Sequence, residues 1–262
     1  MPLGDIADVA SPSVARMDNY LLGGKDHYPA DREACARLLD IAPGALQAAE
    51  AGHRFLLRVT SHLAREYGMR QFLVFGAGLP TRVGVHQVAG RVDPRVRVVY
   101  VDDDPLALAH ARAVWEDGRR TLVVRAEPVQ AAHIIFDAAV RRLLDITQPV
   151  AALFVSALHT VGEPAGLLAH TASLLAPGSF IAASHLTSDD AEVRQAATRL
   201  MHEATAGRWG RVRTREEVEE FFDTMRLLAP GLTDVSRWRP GGDRAVTTGP
   251  GWAEYGGVVC VR

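Results

Sequence analysis

The chain has 262 residues and a formal net charge of −2, with acids and bases interspersed. That length admits one large domain or two small ones, and the near-neutral balance argues against a nucleic-acid tail or a basic membrane-binding face. Two cysteines, Cys35 and Cys260, match no metal or redox spacing and fit reduced thiols in a cytoplasmic protein better than a disulfide scaffold. No basic-then-apolar leader is visible, and the longest apolar run, Val150 to Leu158, is far shorter than the ~20 residues a bilayer span needs.

Taken in chain order, residues 1–28 show no regular periodicity. Pro29 suits the first position of a helix, with Leu38 and Ile41 as a short apolar face. Leu56, Val59, Leu63 and Tyr67 recur at helical spacing and mark a second helix. "QFLVFGAGLP" reads as a strand entering a glycine turn. "RVRVVYVDDDPLALAHARAVW" reads as a strand and helix, with Asp104 as N-cap and Pro105 at N1. "TLVVRAE" is a third strand, and Val129, Ala132, Phe136, Ala139 and Leu143 form one continuous helical face.

"PVAALFVSAL" is apolar enough to be buried on both faces of a sheet. A helix over Ala165 to Leu175 leads to the fifth strand, "SFIAASHL". Asp189 and Asp190 open a helix carrying Val193, Ala197, Leu200 and Ala204. Thr214 and Glu217 form a capping box, followed by a buried stripe of Val218, Phe221, Phe222 and Met225. Two last strands are expected near Leu232 to Trp238 and Gly257 to Val261, paired as a hairpin, with a long loop over Pro240 to Gly251. The alternation predicts an α/β fold with a seven-stranded, mostly parallel sheet.

Three strand ends carry ligand chemistry. Gly76, Ala77 and Gly78 follow the first strand, where glycines allow a sharp turn and close backbone approach. Asp102 and Asp103 close the second strand, and a carboxylate at the Asp102 position can accept from both hydroxyls of a ribose. Glu127 closes the third and can accept from an adenine amine. A dinucleotide fingerprint would want glycine at position 81, where Thr81 stands. S-adenosylmethionine has no phosphate and does not need that helix N-terminus, so it is the cofactor these residues favour over a nicotinamide. The segment "DNYLLGGKDHYPADREA" is no phosphate loop: Asn19 stands where the first glycine belongs, and Asp26 follows Lys25.

The sequence resembles a bacterial family of S-adenosylmethionine-dependent methyltransferase-like proteins with largely undefined substrates. The likeness rests on "SVARMDNYLLGGKDHYPADREA", "FLVFGAGLPT", "VVYVDDDPLALAHARA" and "FFDTMRLLAPGLTDVSRWRP", spread over nearly the whole chain, with "DNYLLGGKDHY" as the hallmark. It implies a class I, Rossmann-like methyltransferase domain over residues 51–262 and an N-terminal helical segment, residues 1–50, lying over the cofactor site as a lid or wall. Tyr20, Gly23, Lys25 and His27 are its candidate cofactor contacts. The resemblance also implies an acid near the end of the first strand for the cofactor's amino group. Here Val74 and Phe75 occupy that place, and Asp18 or Asp26 are the candidate substitutes.

For chemistry, the fourth-strand end offers Ser156 as a cofactor contact and His159 as a candidate base, since an imidazole titrates near neutrality. His185 on the fifth strand is the second choice. Trp209, Trp238 and Trp252 are candidates to line a pocket for a small-molecule acceptor, with ordinary packing as the alternative. No histidine or cysteine spacing suggests a metal. The expected activity is methyl transfer to a small molecule; a non-catalytic sensor of the cofactor or of S-adenosylhomocysteine is the alternative, motivated by the missing strand-end acid.

Overall fold

The structure, a computed structural model, describes residues 8–80, 83–240 and 251–262. Thr81 and most of the expected 240–251 loop lie outside the described residues. Helices α1 (Val14–Leu21), α2 (Pro29–Ile41) and α3 (Ala45–Glu66) precede the sheet. The alternating part runs β1 (Gln71–Phe75), α4 (Val85–Gly90), β2 (Arg97–Asp102), α5 (Pro105–Trp115), β3 (Thr121–Arg125), α6 (Ala131–Phe136), α7 (Ala138–Leu143), β4 (Ala151–Phe154) and α8 (Pro164–Leu174). It ends with β5 (Phe180–Thr187), α9 (Ala191–Ala204), α10 (Arg215–Glu219), β6 (Thr233–Asp234) and β7 (Ala253–Cys260).

The seven strands lie in the order β3-β2-β1-β4-β5-β7-β6. β1 to β5 pair in parallel, and β7 runs antiparallel between β5 and β6. This is the sheet of class I methyltransferases, as expected. Its order reverses between β1 and β4, and ligands in such sheets bind beyond the strand C-termini at that switch point. Side chains alternate along β1: Phe72 and Val74 join one core layer with Phe55, Leu63 and Tyr100, while Leu73 and Phe75 join the other with Ile134, Ile135 and Phe221. That period of two is what a strand buried on both faces requires.

Several boundaries differ from the sequence expectation, each for a local reason. The long helix expected over residues 129–143 is broken, because Asp137 accepts from the N–H groups of Ala139 and Val140 and so starts a new helix there. Phe136, at the end of the first piece, is exposed, as is Val129 in a 3-10 turn that precedes it. The sixth strand stops at Asp234, whose side chain caps a short 3-10 turn over Val235–Arg237. β7 begins at Ala253, well before Gly257, and pairs with β5 over its whole length.

The expected irregular N-terminus contains α1, which packs with α2, α9 and the start of α3 around Met17, Cys35, Leu38, Leu200 and Trp209. Arg16 and Asp31 form a fully buried ion pair at 2.9 Å, and Asp31 also accepts from the backbone of Ser13 and Tyr28. Ser13 Oγ donates to Asp104, itself the N-cap of α5. The segment is therefore fastened both to α2 and to the end of β2. The boundary expected at residue 50 falls inside α3.

Candidate functional site

The site forms where β1, β2 and β4 end. Gly76 has φ +67°, and a Cβ there would sit 2.8 Å from that of Ala157. Both facts require glycine. The turn brings Gly78 N–H to Asp102 Oδ2 at 2.7 Å, while Asp104 N–H reaches Oδ1 at 2.9 Å. Burial raises the Asp102 carboxyl to about 6 against the opposing pull of these two N–H groups. Each oxygen of a carboxylate has a second lone pair, so Asp102 can still accept from a diol.

An outer cleft of about 700 Å³ opens here, within the range of small-molecule sites. Gly76, Gly78, Asp102, Asp103, Glu127 and Ser156 all line it. Glu127 is exposed at its far end. Asp103 forms an ion pair with Arg208, from the segment after α9, and this pair joins the two banks of the cleft.

Behind the cleft lies an inner chamber of about 120 Å³. Ala15, Asp18, Gly76, Gly78 and Ser156 border both spaces and so form the neck between them. The chamber walls are mostly apolar, and Val74, Ala77, Trp209 and Trp252 contribute to them. Its polar groups are Asp18, Asn19, His53, Ser156, His159 and Glu254. Ser156, in the left-handed region at φ +55°, donates to Glu254 Oε1 at 2.5 Å, and Ser184 Oγ donates to Oε2 at 2.7 Å. Burial pushes Glu254 up to about 7. Asp18 is likewise raised to about 7, by its enclosure first and then by the negative charges of Glu254 and Asp102.

His159 lies in the chamber wall, on a 3-10 turn rather than on the strand itself. It is buried, with its ring 5.2 Å from Trp209, and its Nδ1 has no hydrogen-bond partner. Burial, reinforced by Arg213, lowers its pKa to about 4, so it is neutral at physiological pH.

His185 corrects the sequence expectation. It lines neither space; its Nδ1 is 2.7 Å from Leu186 O and its Nε2 is 2.6 Å from Arg213. With both ring nitrogens engaged and the ring against Phe221 at 5.7 Å, it is a core residue with no nitrogen left for a substrate. Trp238 is also core, packed edge-on against Phe55.

The N-terminal segment meets the site through a different part from the one expected. Tyr20, Gly23, Lys25 and His27 line neither the cleft nor the chamber. Tyr20 and His27 contact each other edge-on at 5.1 Å, and Lys25 is exposed. The glycine pair instead closes α1: Gly23 N–H and Gly24 N–H donate to Tyr20 O and Asn19 O. Gly24 leaves room for the Asn19 side chain, which a Cβ would overlap at 2.4 Å. Of the two candidate substitute acids, Asp26 sits outside both spaces, 3.8 Å from His110, whereas Asp18 stands in the neck.

Among the described residues, no cluster of three or more His, Cys, Asp or Glu could hold a metal. No described helix is long and apolar enough to cross a membrane.

Sheet order and strand-end cleft together define a class I methyltransferase. A family model described as S-adenosyl methyltransferase matches residues 4–262, and the chain belongs to that family. Two solved structures are similar over nearly their full lengths. One, a protein from Thermobifida fusca YX provisionally assigned as a methyltransferase, has 33% identity and a TM-score of 0.85, covering 96% of each chain. The other, a duf574 family protein from Streptomyces avermitilis MA-4680, has 34% identity and a TM-score of 0.85, covering 98% of this chain and 100% of that one. The plantazolicin methyltransferase BpumL, solved with a triazolic desmethylPZN analog and SAH, shares the fold at 10% identity and a TM-score of 0.54, covering 95% and 96%. No curated protein matches the sequence. The chain is thus an S-adenosylmethionine-dependent methyltransferase.

Proposed function

We propose that the outer cleft holds S-adenosylmethionine and that the methyl acceptor is a small molecule seated in the inner chamber. The observation that carries this reading is the neck: Gly76, Gly78, Asp18 and Ser156 border both spaces, so a group bound in one can face a group bound in the other. The cofactor supplies an electrophilic methyl group on a sulfonium.

The chain's own residues fit that ligand. Asp102 would accept from a ribose diol, the backbone at Gly76–Gly78 would allow close approach of the amino-acid end, and exposed Glu127 would accept from an adenine amine. Asp103 borders the same space and Ser156 stands at its inner limit. Asp18, which borders both spaces, would take the place of the acid missing at Val74 and would pair with the cofactor's ammonium. α1 acts as a fixed wall. The chamber excludes water from the reacting atoms and holds the acceptor in line, which is most of what such a transfer needs.

Calorimetry with S-adenosylmethionine and S-adenosylhomocysteine tests this. Both are expected to bind wild type and to lose most of their affinity in Asp102→Ala. Absence of heat with both compounds at high protein concentration overturns it.

A further inference from the structure

We propose that the inner chamber is built for a one-ring organic amine, with Glu254 receiving the amine nitrogen. This rests on the outer cleft being the cofactor site.

Size sets the first limit. The chamber measures about 120 Å³, and an apolar protein cavity of about 150 Å³ accommodates one benzene ring. The chamber therefore has room for about one ring of an acceptor. The walls set the second limit: Leu22, Leu56, Val74, Tyr100, Trp115 and Trp252 offer apolar and aromatic surface, which favours a flat hydrocarbon body.

Charge decides the functional group. Two carboxylates, Asp18 and Glu254, border the chamber, and among the described residues neither Lys nor Arg does. No hydrogen bond or ion pair from a described residue reaches the Asp18 carboxylate, and among the described residues Glu254 is held by the two serine hydroxyls alone. Those hydroxyls fix the Glu254 plane and leave acceptor positions open. Among the described residues no cation borders the chamber to offset the negative charge that a carboxylate or phosphate on the acceptor would add.

A plain hydrocarbon also fits poorly. Asn19 and His159 line the chamber, and Asn19 Nδ2 and His159 Nδ1 are buried without partners; buried polar groups cost free energy until they are satisfied. An amine meets Glu254, the carboxylate that the cofactor's ammonium leaves open, and a polar ring substituent meets His159. In such an enclosed space burial penalises both charged partners. Glu254 can therefore accept one proton from the ammonium, leaving the nitrogen lone pair free.

The test uses four one-ring probes, benzylamine, benzyl alcohol, toluene and benzoate, titrated calorimetrically into wild type saturated with S-adenosylhomocysteine. Benzylamine is expected to bind at least tenfold tighter than benzyl alcohol or toluene, with benzoate weakest. Glu254→Gln is expected to reduce the preference for benzylamine over benzyl alcohol to less than twofold, with S-adenosylhomocysteine affinity within twofold of wild type. Equal binding of the alcohol or the acid, no binding of any probe, or a full amine preference in the variant overturns the proposal. If Glu254→Gln does not fold, the wild-type ranking decides alone. Failure of wild type to bind S-adenosylhomocysteine overturns the cofactor reading instead, and the same probe series without it still decides the chamber.

Discussion

The outer cleft and the inner chamber are built by different means. The cleft is shaped by main chain: a glycine turn after β1, the end of β2 and two N–H groups that fix Asp102. The chamber is assembled from side chains far apart in sequence, with Asp18 on α1, His53 on α3, Ser156 after β4 and Glu254 on β7. The first kind of site changes little when side chains change. The second can be retuned one wall at a time, which suits a methyltransferase whose cofactor is fixed and whose acceptor is not.

The comparison is broken most severely through the element both spaces share. Arg16→Ala leaves Asp31 charged and buried without its partner, a change expected to cost about 3–5 kcal/mol, read as a lower urea midpoint. Cofactor and probe binding should weaken together, because α1 walls both spaces. Loss of one without the other would show that they are not joined through α1.

Asp102→Ala should act on the cleft alone. Losing charge-assisted hydrogen bonds to two hydroxyls, at about 1.5–3 kcal/mol each, predicts S-adenosylhomocysteine binding weakened by roughly 100-fold to 10,000-fold by calorimetry. Glu127→Gln, at an exposed position, should cost about fivefold or less, and neither should alter benzylamine binding measured without the cofactor.

Glu254 gives the chamber a pH signature. Its pKa is raised to about 7 in the folded state, so the folded protein keeps a proton that the unfolded chain releases. Its contribution is therefore most favourable at low pH and is lost as pH rises towards 7. Asp18 and Asp102, also raised, act in the same direction, while lowered His159 acts in the opposite one. The difference between Glu254→Gln and wild type reports the glutamate together with its coupling to Asp18, whose carboxyl its charge helps to raise. The variant should gain on wild type between pH 5 and 8, by roughly 2 kcal/mol at most, seen as several degrees in the relative melting temperatures.

The smallest effect separates the neck from the cleft. Asp18→Asn should weaken S-adenosylhomocysteine about tenfold, about 1.4 kcal/mol. Binding of 5′-methylthioadenosine, which lacks the amino-acid end, should be unchanged; equal losses for both would remove Asp18 from its assigned place.

The difference in construction also explains what the sequence made legible. The Gly76–Gly78 turn, Asp102 and the Asp104–Pro105 helix start are local patterns, readable from neighbours along the chain. Glu254 was not readable. It lies in a strand whose Gly256–Gly257 pair weakens any strand signal, and its pairing with β5 settles the matter through tertiary contacts. α1 is hard to read for a similar reason: it is short, with Arg16, Asp18 and Asn19 interrupting its apolar residues, and it is secured by the Ser13 cap and by Arg16 reaching Asp31 on another helix. His185 was overvalued because a histidine at a strand end looks alike whether its nitrogens face a ligand or a neighbouring arginine.

The Asp103–Arg208 pair has a kinetic consequence. Both partners are substantially solvent-exposed, so dissolved ions compete with their attraction, whose reach shrinks from roughly 10 Å at 0.1 M salt to about 3 Å at 1 M. Stopped-flow traces should therefore show S-adenosylhomocysteine entering and leaving faster as sodium chloride is raised, with both rates rising in parallel. Brine would then serve as a throttle on ligand traffic while leaving the resting occupancy almost untouched.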